Sequence, residues 1–398
     1  HITWGTGPGI VAPFAAAVEQ GEREGRLTVL PRHRVTELLA VDGTVTGARG
    51  DVLATSGSSR GVPSSRDVIG EFEITATATI VSSGGIGGNH DLVRAAWPAR
   101  LGTAPEHMLT GVPAYVDGSM HGVSEAAGAR LINGDRMWHY VEGITNWDPV
   151  WPSHGIRILP GPSSLWLDAT GKRLPVPLFP GFDTLGTLEH LRTTGHDHSW
   201  FVTSRQIVEK EFALSGSEQN PDLTGKDVGL LVRSRLAKGP TGPVQSFLDE
   251  GEDFIVENDL ETLLEQMQRH PGGELLDIDN VRREVLARDR EMQNDFTKDA
   301  QIGMLRSMRS YRGDRLIRTA APHRLQDPAA GPLVAVKLHV LTRKSLGGIN
   351  TDLEGRALNA AGEPIPGLYA AGEASGFGGG GVHGYRALEG TFLGGCLF

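Results

Sequence analysis

The sequence predicts an α/β fold in which two separated strand-rich stretches form one domain and an α+β segment is inserted between them. Three observations predict it. Short β-type runs broken by turn signals fill residues 1–98 and return in residues 331–398. Residues 99–330 differ in texture, with tryptophans at 138, 147, 151 and 166 and charged helical patterns. A strand-like burst near the carboxyl end runs into an acid, a glycine-rich loop and a helix start. The expected division is therefore 1–98 with 331–398, and 99–330 inserted between them; no internal repeat is present.

Element by element, residues 11–21 (VAPFAAAVEQG) read as a helix with Pro13 in its first turn, where a missing N–H is harmless. Leu27–Leu30, Val35–Val41 and Val45–Ala48 read as strands, with Asp42-Gly43 as a hairpin signal. Residues 54–67 form a Ser/Gly loop. Glu71–Thr75 and Thr77–Ser82 resume the strand pattern, giving a β-meander followed by a buried strand that ends in Ser83-Gly84-Gly85. Helices are expected at 259–270, 278–293 and 299–312, the first capped by Asp259 with Thr262 in its opening turn. Leu333–Leu341 is a strand; Gly347-Gly348, a hairpin and the apolar burst Leu368–Ala371 follow.

Bulk properties exclude several classes. The chain has 398 residues, enough for two domains, and a formal charge of −10 with no basic stripe, which argues against a nucleic-acid partner. One cysteine, Cys396, rules out an internal disulfide and a CxxC redox pair, and fits a reducing cytoplasm. No apolar run approaches the ~20 residues of a membrane span, and no signal peptide is present. The expected partner is a small-molecule substrate; homo-oligomerisation is left open.

The carboxyl-terminal stretch carries most of the chemistry. Gly372-Glu373 is followed by Gly376, Gly378, Gly379, Gly380, Gly381 and Gly384, then a helix start near Leu388. Glycines let backbone N–H groups approach a flat or anionic ligand, and a helix N-terminus adds unpaired N–H groups and a positive dipole end. That order suits a large anionic cofactor held by backbone. Glycine is also abundant throughout, 54 of 398 residues, so some of these positions are composition alone.

The stretch PGLYAAGEASGFGGGGVHGYRALEGTFLGG (366–395) resembles the flavin-binding end of the fumarate reductase/succinate dehydrogenase flavoprotein superfamily, which includes the 3-ketosteroid dehydrogenases. GTGPGIVAPF (5–14), SSGGIGGNHDLVR (82–94), DGSMHGVSEAAGARLI (117–132) and LGGINTD (346–352) extend the resemblance along nearly the whole chain, most of all to the subgroup known simply as FAD-binding dehydrogenases. The resemblance implies a discontinuous Rossmann-like FAD-binding domain with an inserted cap. It implies FAD contacts from Val35 (adenine, by backbone), from the strand end Ser82, Ser83, Gly84 and Gly85 (pyrophosphate), from Asp117-Gly118 (flavin) and from Gly372-Glu373 (ribityl or pyrophosphate). Gly390, Thr391 and Phe392, at the start of the last helix, would face the N1–C2=O edge, where reduction places negative charge. Relatives begin with a strand, a GxGxxG turn and a distal acid. Gly5-Thr6-Gly7-Pro8-Gly9 fails as that fingerprint, because Pro8 interrupts it and no strand precedes it. The expectation is an FAD domain that lacks its ADP-binding piece in this sequence.

The expected reaction moves a hydride between flavin N5 and a C–C bond next to a carbonyl, with an acid or base for the proton. Fumarate-reducing relatives carry a histidine in a motif like HTMGG and an arginine in one like HGYNRLGG. Here Lys344 replaces the histidine, Ala387 stands in the arginine's place, and Arg386 lies one residue earlier, which puts a C4-dicarboxylate substrate in doubt. Tyr385 is a candidate proton donor or acceptor, as tyrosines are in the ketosteroid dehydrogenases. Arg343 and Lys344 are candidates to hold an anion or enolate, and Trp138-His139-Tyr140 is a compact aromatic and titratable cluster. A steroid-like enone fits a tryptophan-rich cap loosely. Alternatives are a non-catalytic fragment or scaffold that no longer holds FAD, and a flavin hydroxylase, although no nicotinamide fingerprint is visible. His196-Asp197-His198 lacks a third ligand at metal-site spacing, so no metal is expected, and no GxSxG elbow supports a hydrolase.

Overall fold

A computed structural model describes residues 4–376. Its centre is the strand Leu333–Thr342, whose side chains are apolar on both faces over most of its length. Val334, Val336, Leu338 and Val340 enter one core, and Leu333 and Ala335 enter another. A strand that is apolar on both sides belongs in the middle of a sheet. Here it is the centre of eight strands, flanked by Tyr140–Thr145 and His198–Ser204, with Gly155–Leu159, Ala213–Leu214 and Leu165–Asp168 further out. Sequence pattern alone grouped Leu333–Leu341 with the glycine-rich ends. The pairing instead joins it to the strands of 99–330, because period-two burial fixes how deep a strand lies and not which sheet it enters.

Two further strands share this centre. Phe254–Glu257 pairs with its first half and Leu109–Thr110 runs parallel to its end. Asp253 closes the gap that Phe254–Glu257 and Tyr140–Thr145 leave along one edge. It accepts the Thr145 N–H at 2.7 Å, and its other oxygen lies 2.7 Å from His339 Nε2. Burial pushes this carboxyl up, but His339 and the Thr145 amide outweigh it and hold the group below its ordinary value. A depressed carboxylate contributes stability above its unfolded pKa, and that contribution is lost as pH falls through the folded value. The thermal midpoint should therefore fall on acidification below about pH 4, and Asp253→Asn should flatten that dependence. An unchanged slope in scanning calorimetry contradicts the assignment.

The distant ends of the chain meet in a smaller sheet. Pro364–Ala370 lies parallel to Thr79–Val81, with Leu368 opposite Thr79 and Ala370 opposite Val81, and Arg356–Leu358 completes the hairpin. Beneath it, Leu38, Val45, Val81, Ile349, Leu368 and Ala370 pack with Val123 and Ala129. The helix Ser119–Ala126, placed by sequence in the inserted segment, thus packs in the core of the terminal stretches. The meander forms as expected from His33–Val41, Thr44–Leu53 and Val68–Thr75. Its first turn holds Asp42 at φ 48° and Gly43 at φ 77°, the left-handed pair that a tight hairpin requires.

Two local expectations fail. The first helix spans Thr6–Arg23, so Pro8 is its first-turn proline and Pro13 is interior, where it leaves the Gly9 carbonyl without the usual donor four residues on. The left-handed Gly5 sets this earlier start, with its N–H on the Leu223 carbonyl at 2.8 Å. Leu27–Leu30 forms no strand, and Leu27, Val29 and Leu30 are exposed. The later helices begin where the sequence puts them. Asp259 accepts the Thr262 N–H at 2.9 Å, and Asp277 and Asp299 cap the helices Ile278–Gln293 and Ala300–Met308. The last ends at Met308, short of the expected 312.

Candidate flavin site at paired strand ends

Thr79–Val81 and Pro364–Ala370 are parallel and end together, the Ala371 N–H donating to the Val81 carbonyl at 3.0 Å. Ligands of open α/β sheets bind outside the carboxyl ends of parallel strands. Ser82-Ser83-Gly84-Gly85 leaves one strand and Gly372-Glu373 the other. Gly84 (φ 87°) and Gly372 (φ 68°) turn the chain where a side chain would be strained. Ser82 and Ser83 are exposed.

Ser345 ties these segments to the end of the central strand. It is 2% exposed; its Oγ accepts the Ile86 N–H at 2.9 Å and its own N–H donates to Glu373 Oε1 at 2.8 Å. Asp117-Gly118 joins the same assembly. The Gly88 N–H donates to the Val116 carbonyl at 2.7 Å, and the Asp117 carbonyl accepts from the Asn89 amide at 3.2 Å. The structure thus brings Ser82–Gly85, Asp117-Gly118, Arg343, Lys344 and Gly372-Glu373 together. Val35 stands apart on the meander, one residue before a bulge. Arg32 and Arg34 are engaged by the protein, Arg32 on the Ala54 carbonyl at 2.9 Å and Arg34 on Asp51. Tyr385, Arg386, Gly390, Thr391 and Phe392 lie outside the described residues.

Tyr140 stands beside the site on the neighbouring strand. It pairs with Leu341, and the Trp138 N–H donates to the Lys344 carbonyl at 2.9 Å. Arg157 lies over its ring, 3.7 Å from the centroid, and is held by Glu142 at 3.3 Å. The Arg343 guanidinium donates to the Gly111 carbonyl. His139 is buried against Trp97, ring centroids 5.0 Å apart, and burial, with help from His90, pushes it down to about 4, so the ring is neutral. His154, stacked on Trp151 at 3.8 Å, is likewise pushed to about 4, mainly by burial. Asp197 of the His196-Asp197-His198 run is spent on Arg192 and on the Glu106 and His107 amides. Ser345, Arg157 and His121 are residues that sequence reasoning missed: their places are set by tertiary packing and not by any local motif.

The residues at the paired strand ends fit a group that backbone can hold. Two strand ends and a Gly-capped helix, Ser119–Ala126, converge, and His121 Nε2 in that helix is buried with no hydrogen-bond partner among the described residues. Fold and site define a Rossmann-like FAD-binding protein with a second, cap-like sheet. The sequence matches the FAD binding domain family over residues 1–393, and the chain belongs to that family. It is 61% identical over 398 residues to a KsdD-like steroid dehydrogenase of Mycobacterium tuberculosis, covering all of this chain and 70% of that protein. It is 60% identical over 393 residues to one of Mycolicibacterium smegmatis, covering 99% of this chain and 71% of that protein. The fold is similar to the open conformation of a flavocytochrome c3 fumarate reductase (TM-score 0.56, 17% identity, 95% of this chain and 52% of that one). It is similar too to 3-ketosteroid delta1-dehydrogenase from Sterolibacterium denitrificans in complex with 1,4-androstadiene-3,17-dione (TM-score 0.55, 17% identity, 86% of this chain and 53% of that one). The chain spans about half the length of these two structures. No described helix is long and apolar enough to cross a membrane.

Proposed function

We propose that this chain forms the catalytic core of an FAD-dependent dehydrogenase that moves two hydrogens across a C–C bond next to a carbonyl, with a steroid-like ketone or enone as substrate. The observation that carries the reading is the 61% identity to a KsdD-like steroid dehydrogenase along the entire chain. The pairing of Tyr140 with Leu341 and the bond from the Trp138 N–H to the Lys344 carbonyl, at the end of the central strand that Arg343 and Lys344 follow, support it. FAD, when bound, supplies the hydride acceptor or donor. The chain must then orient the carbonyl, exclude water and move one proton. Arg343 and Lys344 are the cations that would stabilise oxygen charge as an enolate develops. Tyr140 and, outside the described residues, Tyr385 are the phenols that would give or take the proton, with Arg386 as a further anchor.

The experiment is anaerobic. Protein loaded with FAD is mixed with a saturated 3-ketosteroid, and visible flavin absorbance is followed. Bleaching within seconds to minutes, and none with succinate, is the expected result. Bleaching by succinate alone overturns the substrate class, and a wild-type protein that takes up no FAD overturns the reading as a whole.

A further inference from the structure

We propose that His121 is a direct hydrogen-bonding ligand of the flavin dinucleotide, its Nε2 accepting from a hydroxyl or N–H group of the cofactor. This rests on the reading that FAD occupies the crevice at the paired strand ends. His121 is 7% exposed, and its Nε2 has no partner among the described residues. Leaving such an atom unpaired costs about 1–3 kcal/mol, and buried polar groups nearly always have partners. The atom therefore points to a molecule that completes the site.

Its position says which molecule. His121 is the third residue of Ser119–Ala126, whose cap, Gly118, has φ 76° and offers no side chain. Asp117-Gly118 turns beside Ile86, on the segment that leaves Thr79–Val81. The Ala374 carbonyl, on the segment that leaves the partner strand, lies near the imidazole. The cap of its helix thus touches one chain segment that leaves the paired strands, and its ring lies near the other. Burial lowers its pKa more than the Ala374 carbonyl raises it, so the ring is neutral and carries one donor and one acceptor. A neutral imidazole matches an uncharged polar group better than a phosphate oxygen. His121 N–H itself is taken by the Gly118 carbonyl at 3.0 Å, so only the side chain is available.

The test uses the full chain with His121→Phe, which fills the volume without a nitrogen, and His121→Gln, whose amide restores a polar atom near Nε2. FAD affinity is read from quenching of flavin fluorescence, and the thermal midpoint is taken without cofactor. The Phe variant should bind FAD about tenfold or more weakly and the Gln variant within a few-fold of wild type, with the apo midpoint of the Gln variant near wild type. Unchanged FAD affinity in His121→Phe overturns the proposal. So does a lowered apo midpoint with intact affinity, which assigns Nε2 to a partner within the chain. Failure of the wild type to bind FAD is a separate result, visible before any variant is made, and it removes the underlying reading together with this one.

Discussion

Gly87→Ala is expected to weaken FAD binding more than tenfold and to lower the thermal midpoint by about 5 °C or more. A Cβ at Gly87 would stand 2.1 Å from the Arg343 carbonyl oxygen and 3.1 Å from Val112 Cγ2. The obstacle is backbone, so no rotamer change relieves it. Arg343 cannot retreat alone, because Thr342 next to it donates its hydroxyl to the Gly87 carbonyl at 2.7 Å and accepts the Gly111 N–H at 2.9 Å. Either the glycine segment or the end of the central strand must shift. Either shift breaks the Ser345 contacts to Ile86 and Glu373 that bring the site together. Overpacking of this kind costs roughly 1–3 kcal/mol or more. Gly122→Ala is the control: it lies in the helix Ser119–Ala126 with open space around its Cβ, and should be neutral or slightly stabilising. Equal behaviour of the two variants in flavin fluorescence and thermal melts sinks the close-approach argument.

Gly87 also shows what the sequence could and could not tell. Glycine clusters read as room for a cofactor, yet at Gly85, Gly87 and Gly347 the space is filled by the chain itself, by Ser345, Arg343 and Asn133. A glycine reports that something comes close; it does not report whether that is ligand or backbone. Features set within a few residues were legible: the Asp42-Gly43 turn, the Asp259 cap and the apolar run Leu333–Leu341 are local physics. Features set by partners distant in the chain were not. Leu27–Leu30 has strand composition but no ladder to join, and Asp253 is an ordinary loop acid until His339 and Thr145 arrive beside it. Ser345 gave no signal, since a serine before Leu-Gly-Gly looks like any other. His121 lay inside the motif DGSMHGVSEAAGARLI, but what singles it out is its buried Nε2, which has no partner among the described residues.

Tyr140→Phe is expected to slow flavin reduction by a saturated 3-ketosteroid about 10²–10⁴-fold while leaving FAD bound, the range lost with a positioned proton donor or acceptor. The ring is 6% exposed and cannot swing freely. Its strand is registered on Leu341, and the Trp138 N–H two residues earlier donates to the Lys344 carbonyl, which keeps the Tyr140 backbone at the end of the central strand. Arg157 packs over the ring face, and Glu142, 1% exposed, holds the guanidinium there. Arg157→Met should cost part of the rate, and less than Tyr140→Phe, because it loosens the packing that holds the ring and leaves the proton-carrying oxygen in place. Stopped-flow bleaching separates the outcomes from cofactor loss, since the starting flavin spectrum reports occupancy. A Tyr140→Phe protein that bleaches at the wild-type rate removes Tyr140 from the chemistry. The same measurement on Tyr385→Phe then decides whether the proton passes through the glycine-rich loop instead.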